Sequence, residues 1–329
     1  MVAPRILTVV LNYRTAAMTL KAAKAAHLAM ADLPGEIVIV DNDSQDGSFE
    51  TMQAEVARAG WQNVRVLQSG RNGGYGAGNN FGIKAGMADG SRPDYVYILN
   101  SDAFPEPDAI RVLYDHLNTT PSTAFAGSFI AGEDGVQHTT TFRFPTIRGE
   151  FEGAINFGPV SRLLKNYRVP RELTQTSSVD WLAGASVMMR QDVLDQVGLF
   201  DETFFLYFEE TELCRRVAAA GYDVMFLAES KVTHLGSVST GMKEWTRVPD
   251  YWFVSRWHYF SKTHGGTYAA AATVLHLIGG SLNFLRCKLT GRQYGARPHF
   301  LRTMARHALQ SVFAPSRRPS GTPSLQIGD

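Results

Sequence analysis

The sequence predicts an α/β fold, a mainly parallel twisted sheet with helices on both faces, followed by a helical C-terminal extension. Three observations carry this. Apolar runs of strand type alternate with helix-patterned stretches as far as Leu99. A polar cluster follows each of those runs, and from Tyr251 onward the pattern changes to aromatic and basic helices.

Taken in order, residues 6–11 read as the first strand, 15–30 as an Ala/Lys/Leu-rich helix and 36–40 as the second strand, which makes a βαβ opening. Residues 48–59 read as a helix, 64–67 as a strand, 79–88 as a helix and 95–99 as the fourth strand. Ligands of such sheets bind beyond the carboxyl ends of the strands. Asn12 follows the first strand, residues 41–46 the second, 70–80 the third, and Asn100 with Asp102 the fourth, so four strand ends are expected to converge on one site. From 125 to 178 the signals weaken among aromatic, Gly and Pro residues, and a loop-rich part of a cleft is expected. The apolar run 181–189 follows, then a helix at 191–197, a turn at 198–203, a helix at 209–220 and a strand at 224–227. The division expected is a catalytic domain over 1–250 and a helical, basic extension over 251–329, ending in a frayed tail rich in Ser, Pro and Gly.

With 44% hydrophobic and 19% charged residues, the chain is neither a disordered polymer nor a multi-span membrane protein. A net charge of +1 gives no global attraction to nucleic acid, and no nucleic-acid partner is expected. Cys214 and Cys287 lie far apart with no metal-ligand spacing, and the N-terminal residues run into a strand with no secretory pattern. The catalytic part is therefore expected in the cytoplasm with reduced thiols.

The chemistry sits in four clusters. V-D-N-D-S-Q-D-G at 40–47 places Asp41 and Asp43 after an apolar strand, where carboxylates can accept bonds from a base N–H or ribose hydroxyls; Ser44 and Asp46 could equally cap the next helix. The four glycines of R-N-G-G-Y-G-A-G-N-N at 71–80 let backbone approach a phosphate or sugar. They follow the third strand rather than the first, against a nicotinamide-dependent dehydrogenase. I-L-N-S-D-A at 98–103 offers Asp102 to a hard divalent cation, which takes oxygen ligands together with substrate phosphates. In the stretch 200–216, Glu209, Glu210 and Glu212 follow an aromatic run that could desolvate one carboxylate toward general-base use. A helix N-terminus that favours acids accounts for part of that charge. His234, taken alone, reads as structural.

Asn12-Tyr13, V-D-N-x-S-x-D-G-S, N-G-G-Y-G-A-G-N-N, L-N-S-D-A, W-L-A-G-A at 181–185 and F-x-Y-F-E-E-T-E-L-C-R-R at 205–216 together resemble family 2 of the inverting glycosyltransferases, and more narrowly its bacterial rhamnosyltransferase-like branch. The resemblance covers residues 5–264. It implies a GT-A fold, a nucleotide-diphospho-sugar donor, Mg²⁺ or Mn²⁺, and direct displacement with inversion. By the same resemblance Asn12, Asp41 and Asp43 hold the nucleoside, and Asn72, Gly73 and Asn100 lie by the donor. Asp102 matches the last acid of the D-x-D metal motif, and His234 a histidine that completes the metal site. Glu210 matches the acceptor base, with Glu209 second. Trp181 would stand beside the acceptor sugar, or in the core. Two departures stand out: Asn100 replaces the first Asp of the metal motif, and the acidic pair is Glu-Glu rather than Glu-Asp. The donor implied is dTDP-rhamnose, with UDP-sugars next, and the acceptor a glycan or lipid-linked glycan of the cell surface. The rivals are a sugar-phosphate nucleotidyltransferase, which lacks its basic Gly-rich signature here, and a binding protein of the same fold with weakened catalysis.

Residues 268–285 contain no charge, and after Leu285 the chain carries eight arginines and lysines before Asp329. Two readings stay open: a helix lying on the anionic cytoplasmic leaflet as a peripheral membrane contact, or an ordinary subdomain packed on the catalytic core.

Overall fold

The structure is a computed structural model that describes residues 3–236 and 245–313. The Ser-, Pro- and Gly-rich tail, with Arg317 and Arg318, lies outside the described residues. The chain runs β1 (Ile6–Asn12), α1 (Ala16–Ala29), β2 (Gly35–Asp41), α2 (Ser48–Ala59), β3 (Val64–Gln68), α3 (Tyr75–Ala85), β4 (Tyr95–Asn100), β5 (Ala103–Pro105), α4 (Ala109–Thr119) and β6 (Thr123–Ala131). It continues through β7 (Thr141–Phe142), α5 (Ile147–Ile155), α6 (Gly158–Leu163), β8 (Pro170–Arg171), β9 (Ser177–Val179), β10 (Trp181–Leu182) and β11 (Ser186–Arg190). Last come α7 (Gln191–Val197), α8 (Glu209–Ala219), β12 (Asp223–His234), α9 (Asp250–His264), α10 (Gly266–Thr290) and α11 (Phe300–Phe313). These elements form two compact units, one of Met1–Phe142, Glu172–Phe205 and Glu209–Gly241, the other of Arg143–Arg171, Leu206–Phe208 and Met242–Asp329.

The first unit holds the large sheet, ordered β3-β2-β1-β4-β11-β6-β12-β5, with β9 also paired to β12. The strands β3, β2, β1 and β4 are parallel, as the βαβ pattern requires. β11 runs antiparallel between β4 and β6, and β12 is parallel to β6. Because successive side chains of a strand face opposite sides, the even residues of β1 meet α1, where Thr8 bonds Met30, while Val9 and Leu11 face α3. Both faces are thereby covered, which is what an apolar run such as β1 needs. Across the antiparallel part a chain of buried hydroxyls joins four strands: Tyr97 to Ser186 at 2.8 Å, Ser186 to Ser128 at 2.7 Å and Ser128 to Ser230 at 2.8 Å, ending on the Ala109 carbonyl. Every member has a partner, so burial costs little.

Several segments differ from the sequence reading, among them α3, the stretch 125–178 and β12, which runs Asp223–His234 and so contains His234. α3 begins at Tyr75 and not at 79, because its glycines are helical and sit against the sheet: a Cβ on Gly78 would meet Leu11 Cδ1 at 2.5 Å, and one on Gly82 would meet Val9 Cγ1 at 2.6 Å. The stretch 125–178 is not mainly loop. It supplies β6, a central strand, and α5, whose N-cap Thr146 accepts a bond from the Gly149 N–H.

The second unit is helical. α10 packs on α5, α9 and α11 through small residues: a Cβ on Gly279 would lie 3.0 Å from the Phe151 carbonyl, and one on Gly280 would lie 2.6 Å from Leu301. At its centre Glu150 accepts bonds from Arg256 at 2.8 Å and His276 at 2.7 Å. Burial pushes this carboxyl up, but the charge of Arg256 and the hydrogen bonds from His276 and Arg256 outweigh it and hold it down at about 2.

Candidate functional site

The candidate donor-side cluster starts where β1 and β2 end in register, Asn12 opposite Asp41. Asn12 is fully buried, and its amide is spent on the protein: Nδ2 donates to Asp41 at 2.7 Å and Ser44 at 3.1 Å, and Oδ1 accepts from Thr19 at 2.7 Å and from Thr15. Asn12 thus holds Asp41 in place at the strand end. The Asp41 carboxylate also accepts from the Ser44 hydroxyl at 2.5 Å and the Ser44 N–H at 3.1 Å, and Ser44 in turn receives the Arg14 N–H. So Ser44 builds this cluster and caps no helix, whereas Asp46 accepts the Ser48 N–H at the start of α2. Asp43 is partly exposed at a left-handed φ of 59°, a conformation Asp tolerates better than most residues.

The 70–80 loop joins the same end of the sheet. Asn72 Oδ1 accepts from Asn42 at 3.0 Å and from the Gly74 N–H at 3.1 Å, so it turns the chain into α3 beside the Asp41 loop. Gly73 is half-buried, and a Cβ there would lie 2.6 Å from Ala77. Gly74 has φ 88° and lies against the Phe205 carbonyl, to which Tyr75 donates at 3.0 Å. Asn80 grips the same distant loop, donating to the Phe200 carbonyl and receiving the Phe200 N–H. Two motifs far apart in sequence thus clasp each other, and their glycines and asparagines are used for that contact.

At the end of β4, Asn100 is half-buried and Asp102 buried. Asp102 Oδ1 lies 3.0 Å from His234 Nε2 at the end of β12, whose last residues pair with β5. The His138 ring stands edge-on to His234 at 5.9 Å. Among the described residues no group of three or more His, Cys, Asp or Glu is arranged to hold a metal. A carboxylate oxygen with an imidazole nitrogen nonetheless suits Mg²⁺ or Mn²⁺ when a diphosphate and water complete the shell, so the residues present fit a substrate-completed cation site.

The candidate acceptor side is built by α8 and the 181–185 segment. Glu210 Oε1 accepts the Gly184 N–H at 3.2 Å, and the Tyr75 hydroxyl donates to the Gly184 carbonyl at 2.6 Å. Desolvation raises the Glu210 pKa above the ordinary carboxylate value, against the pull of the backbone bonds; the apolar residues Ile98, Phe125, Leu182 and Leu213 line the small pocket it borders. Tyr75 is raised well above the ordinary phenol by burial and then by the charges of Glu210 and Glu209. Next in sequence, Ala185 accepts the Asn100 N–H at 3.0 Å, so a short run of backbone links the Asp102 strand end to the Glu210 support. Glu209 is 1% exposed in the first turn of α8. Glu212 is structural: Arg216 forks onto it at 2.9–3.0 Å while capping the carbonyls of Val197, Gly198 and Leu199. Trp181 is half-buried and stacks on Phe142, 4.0 Å between centroids at 14°. Reading the sequence assigned no role to Gly184 or Tyr75; the signal available was a glycine inside an apolar run, where a side chain would strike both the Tyr75 hydroxyl and the Glu210 carboxylate.

The chain matches the model of glycosyl transferase family 2 over residues 8–198. It is 33% identical over 227 residues to the N-acetylglucosaminyl-diphospho-decaprenol L-rhamnosyltransferase of Mycobacterium tuberculosis, covering 66% of this chain and 72% of that protein. Among solved structures it is similar to S. aureus TarS 1–349 in complex with UDP-GlcNAc, with a TM-score of 0.56 at 14% identity over 94% of this chain and 81% of that one. It is also similar to mannosyltransferase PcManGT from Pyrobaculum calidifontis in complex with GDP-Man and Mn²⁺, with a TM-score of 0.54 at 13% identity over 95% and 88%. At such identities these two show the fold alone, and it is that of GT-A glycosyltransferases.

Proposed function

We propose that this chain, which belongs to glycosyl transferase family 2 and to its rhamnosyltransferase-like type, transfers L-rhamnose from dTDP-rhamnose, with inversion, to a hydroxyl of a lipid-linked glycan during cell-surface polysaccharide synthesis. That it is a glycosyltransferase follows from the family; the donor, the stereochemistry, the metal and the acceptor are the proposal. The mycobacterial relative's name supplies the sugar and the diphospho-polyprenol type of acceptor.

The observation that carries the mechanism is the setting of Glu210. The residue is half-buried, with one carboxylate oxygen fixed by the Gly184 N–H at the edge of a small apolar pocket and its pKa raised by desolvation, as an acceptor base needs. Glu209 is too deeply buried to reach an acceptor without moving α8. Asp41, steadied by Asn12 and Ser44, and Asp43 hold the nucleoside; Asn72, Gly73 and Asn100 flank the sugar diphosphate. Asp102 and His234 would hold Mg²⁺ or Mn²⁺, which when bound supplies positive charge to the leaving diphosphate. Glu210 takes the proton of the acceptor hydroxyl as that oxygen attacks the anomeric carbon on the side opposite the diphosphate. Trp181, stiffened by its stack on Phe142, offers a face to the acceptor sugar.

The test is thermal stabilisation by dTDP, UDP and GDP with and without Mn²⁺, followed by transfer from the stabilising nucleotide's sugar to a GlcNAc-diphospho-lipid and NMR of the product's anomeric centre. Stabilisation by dTDP with Mn²⁺ and an inverted rhamnoside are expected. Preference for UDP replaces the donor, retention of configuration removes Glu210 as a simple base, and nucleotide binding without transfer leaves a binding protein of this fold.

A further inference from the structure

We propose that α10 is a membrane-docking helix that lies flat on an anionic bilayer, its exposed apolar stripe entering the acyl boundary and the basic residues at its C-terminal end meeting lipid headgroups. The stripe comprises Val274, Ile278, Leu282, Leu285 and Leu289, each 45–78% exposed. Steps of three and four residues put all five on one side of the helix. The opposite side, with Ala272, Gly279, Gly280, Asn283 and Cys287, is buried within the helical unit. A surface helix ordinarily turns polar side chains to water; here both sides are apolar, and the outward one carries the larger residues.

By length and composition α10 is apolar enough to cross a membrane. Its contacts argue for lying on one. His276, midway along the helix, bonds Glu150, which also bonds Arg256, and a crossing would carry that ion cluster into hydrocarbon. A helix covered by protein on one side and bare on the other has the anatomy of an interfacial helix.

Charge selects the occupant. The helical unit holds eighteen Lys and Arg against five Asp and Glu, a net +13. Lys288 and Arg292 are exposed beside the end of the stripe, and α11 repeats the theme with Arg302 and Arg306 followed by exposed Leu309 and Phe313 on the same side. A second copy would bring the same positive charge to the contact, whereas anionic headgroups neutralise it. For its purpose the inference rests on the proposed function, since a lipid-linked acceptor is met at such a surface. Its test uses neither donor nor acceptor, so failure of one leaves the other standing.

The full chain is sedimented with vesicles of phosphatidylcholine containing about a third phosphatidylglycerol, and with phosphatidylcholine alone, at low and high salt. Salt-sensitive binding to the anionic vesicles is expected. Ile278→Glu with Leu285→Glu, and separately Lys288→Glu with Arg292→Glu, should each weaken it about tenfold or more while thermal stability stays unchanged. These positions are exposed, so loss of the fold does not explain loss of binding. The proposal is overturned if the wild type remains in the supernatant, or if the stripe variant binds as well as the wild type. It is equally overturned if light scattering shows a dimer that the stripe variant dissociates.

Discussion

At the scale of single residues, the proposed function turns on one carboxylate among three. Glu212 is locked to Arg216, Glu209 is buried, and Glu210 alone combines partial exposure with a fixed oxygen. Glu210→Gln keeps the shape and the bond from Gly184 but cannot take a proton, so kcat should fall by roughly 10² to 10⁴ while nucleotide stabilisation persists. Because the pKa of Glu210 is raised, the acid limb of the wild-type pH–rate profile should bend above the ordinary carboxylate range, with activity rising as pH increases through that limb. A limb at the usual Glu value would mean that Glu210 is not the base. Gly184→Ala places a methyl against the Tyr75 hydroxyl and the Glu210 carboxylate. It should lower kcat and leave the donor KM near wild type, whereas an equal loss in nucleotide binding would show that the segment serves the donor. Asp102, His234 and Glu210 stood out as candidates in the sequence because charged groups at strand ends and helix starts announce themselves. Gly184 and Tyr75 were not singled out, since Gly184 works through its backbone N–H and carbonyl, marked only by a glycine inside an apolar run, and the Tyr75 hydroxyl meets that carbonyl across 109 residues. Asn12 sits at the expected strand end, and its amide bonds Asp41 and Thr19.

At the scale of elements, α1, α2 and α7 were legible to within a residue or two because their apolar spacing and flanking turns agree. α3 was not, since glycine weakens a helix by about 1 kcal/mol relative to alanine and so reads as loop. Packing overrides that propensity here. Gly82→Ala should gain up to about 1 kcal/mol in intrinsic helicity, but its methyl would sit 2.6 Å from Val9 and 3.0 Å from Val40, both on buried strands. Overpacking of this kind costs about 1–3 kcal/mol, so the net change should be a lower melting temperature; a rise would mean that α3 can move off the sheet. β6 and β9 were hidden for another reason: they are completed by β11 and β12, partners far along the chain. In the helical unit, Glu150 joins α5 to α9 and α10. Its carboxyl is held at about 2, below the ordinary 4.5, so the stability it contributes is complete above that ordinary value and is lost as pH falls toward 2. Glu150→Gln should flatten that acid limb of melting temperature against pH, and should also destabilise at neutral pH by leaving Arg256 without its charge partner. An unchanged acid limb would place the acid sensitivity elsewhere.

At the scale of the whole molecule, a net charge of +1 conceals two strongly charged units. The sheet unit has fourteen Lys and Arg against twenty-six Asp and Glu, a net −12, opposite to the +13 of the helical unit. A nucleoside diphosphate sugar is itself an anion, so the unit that carries the candidate donor site repels its own proposed ligand. At physiological salt the Debye length is about 8 Å, which screens distant acids and leaves the local groups to decide. Those are Asp41, Asp43 and Asp102, while the nearby cations are engaged: Arg14 donates to the Ser44 carbonyl, and Arg71 pairs with Glu202 at 2.8 Å. On the proposed reading local neutralisation comes with the ligand, and the oxygen and nitrogen donors of Asp102 and His234 are where a divalent cation would bring it. Removal of divalent ions with a chelator should weaken dTDP or UDP binding by about tenfold or more, and added Mn²⁺ should restore it in the wild type but not in Asp102→Ala. His234→Ala should be intermediate, because the carboxylate and the diphosphate remain. Were the nucleotide to bind equally well in chelator, the Arg71–Glu202 pair would have to open to supply the positive charge, and Arg71→Ala would then abolish the binding that Asp102→Ala spares.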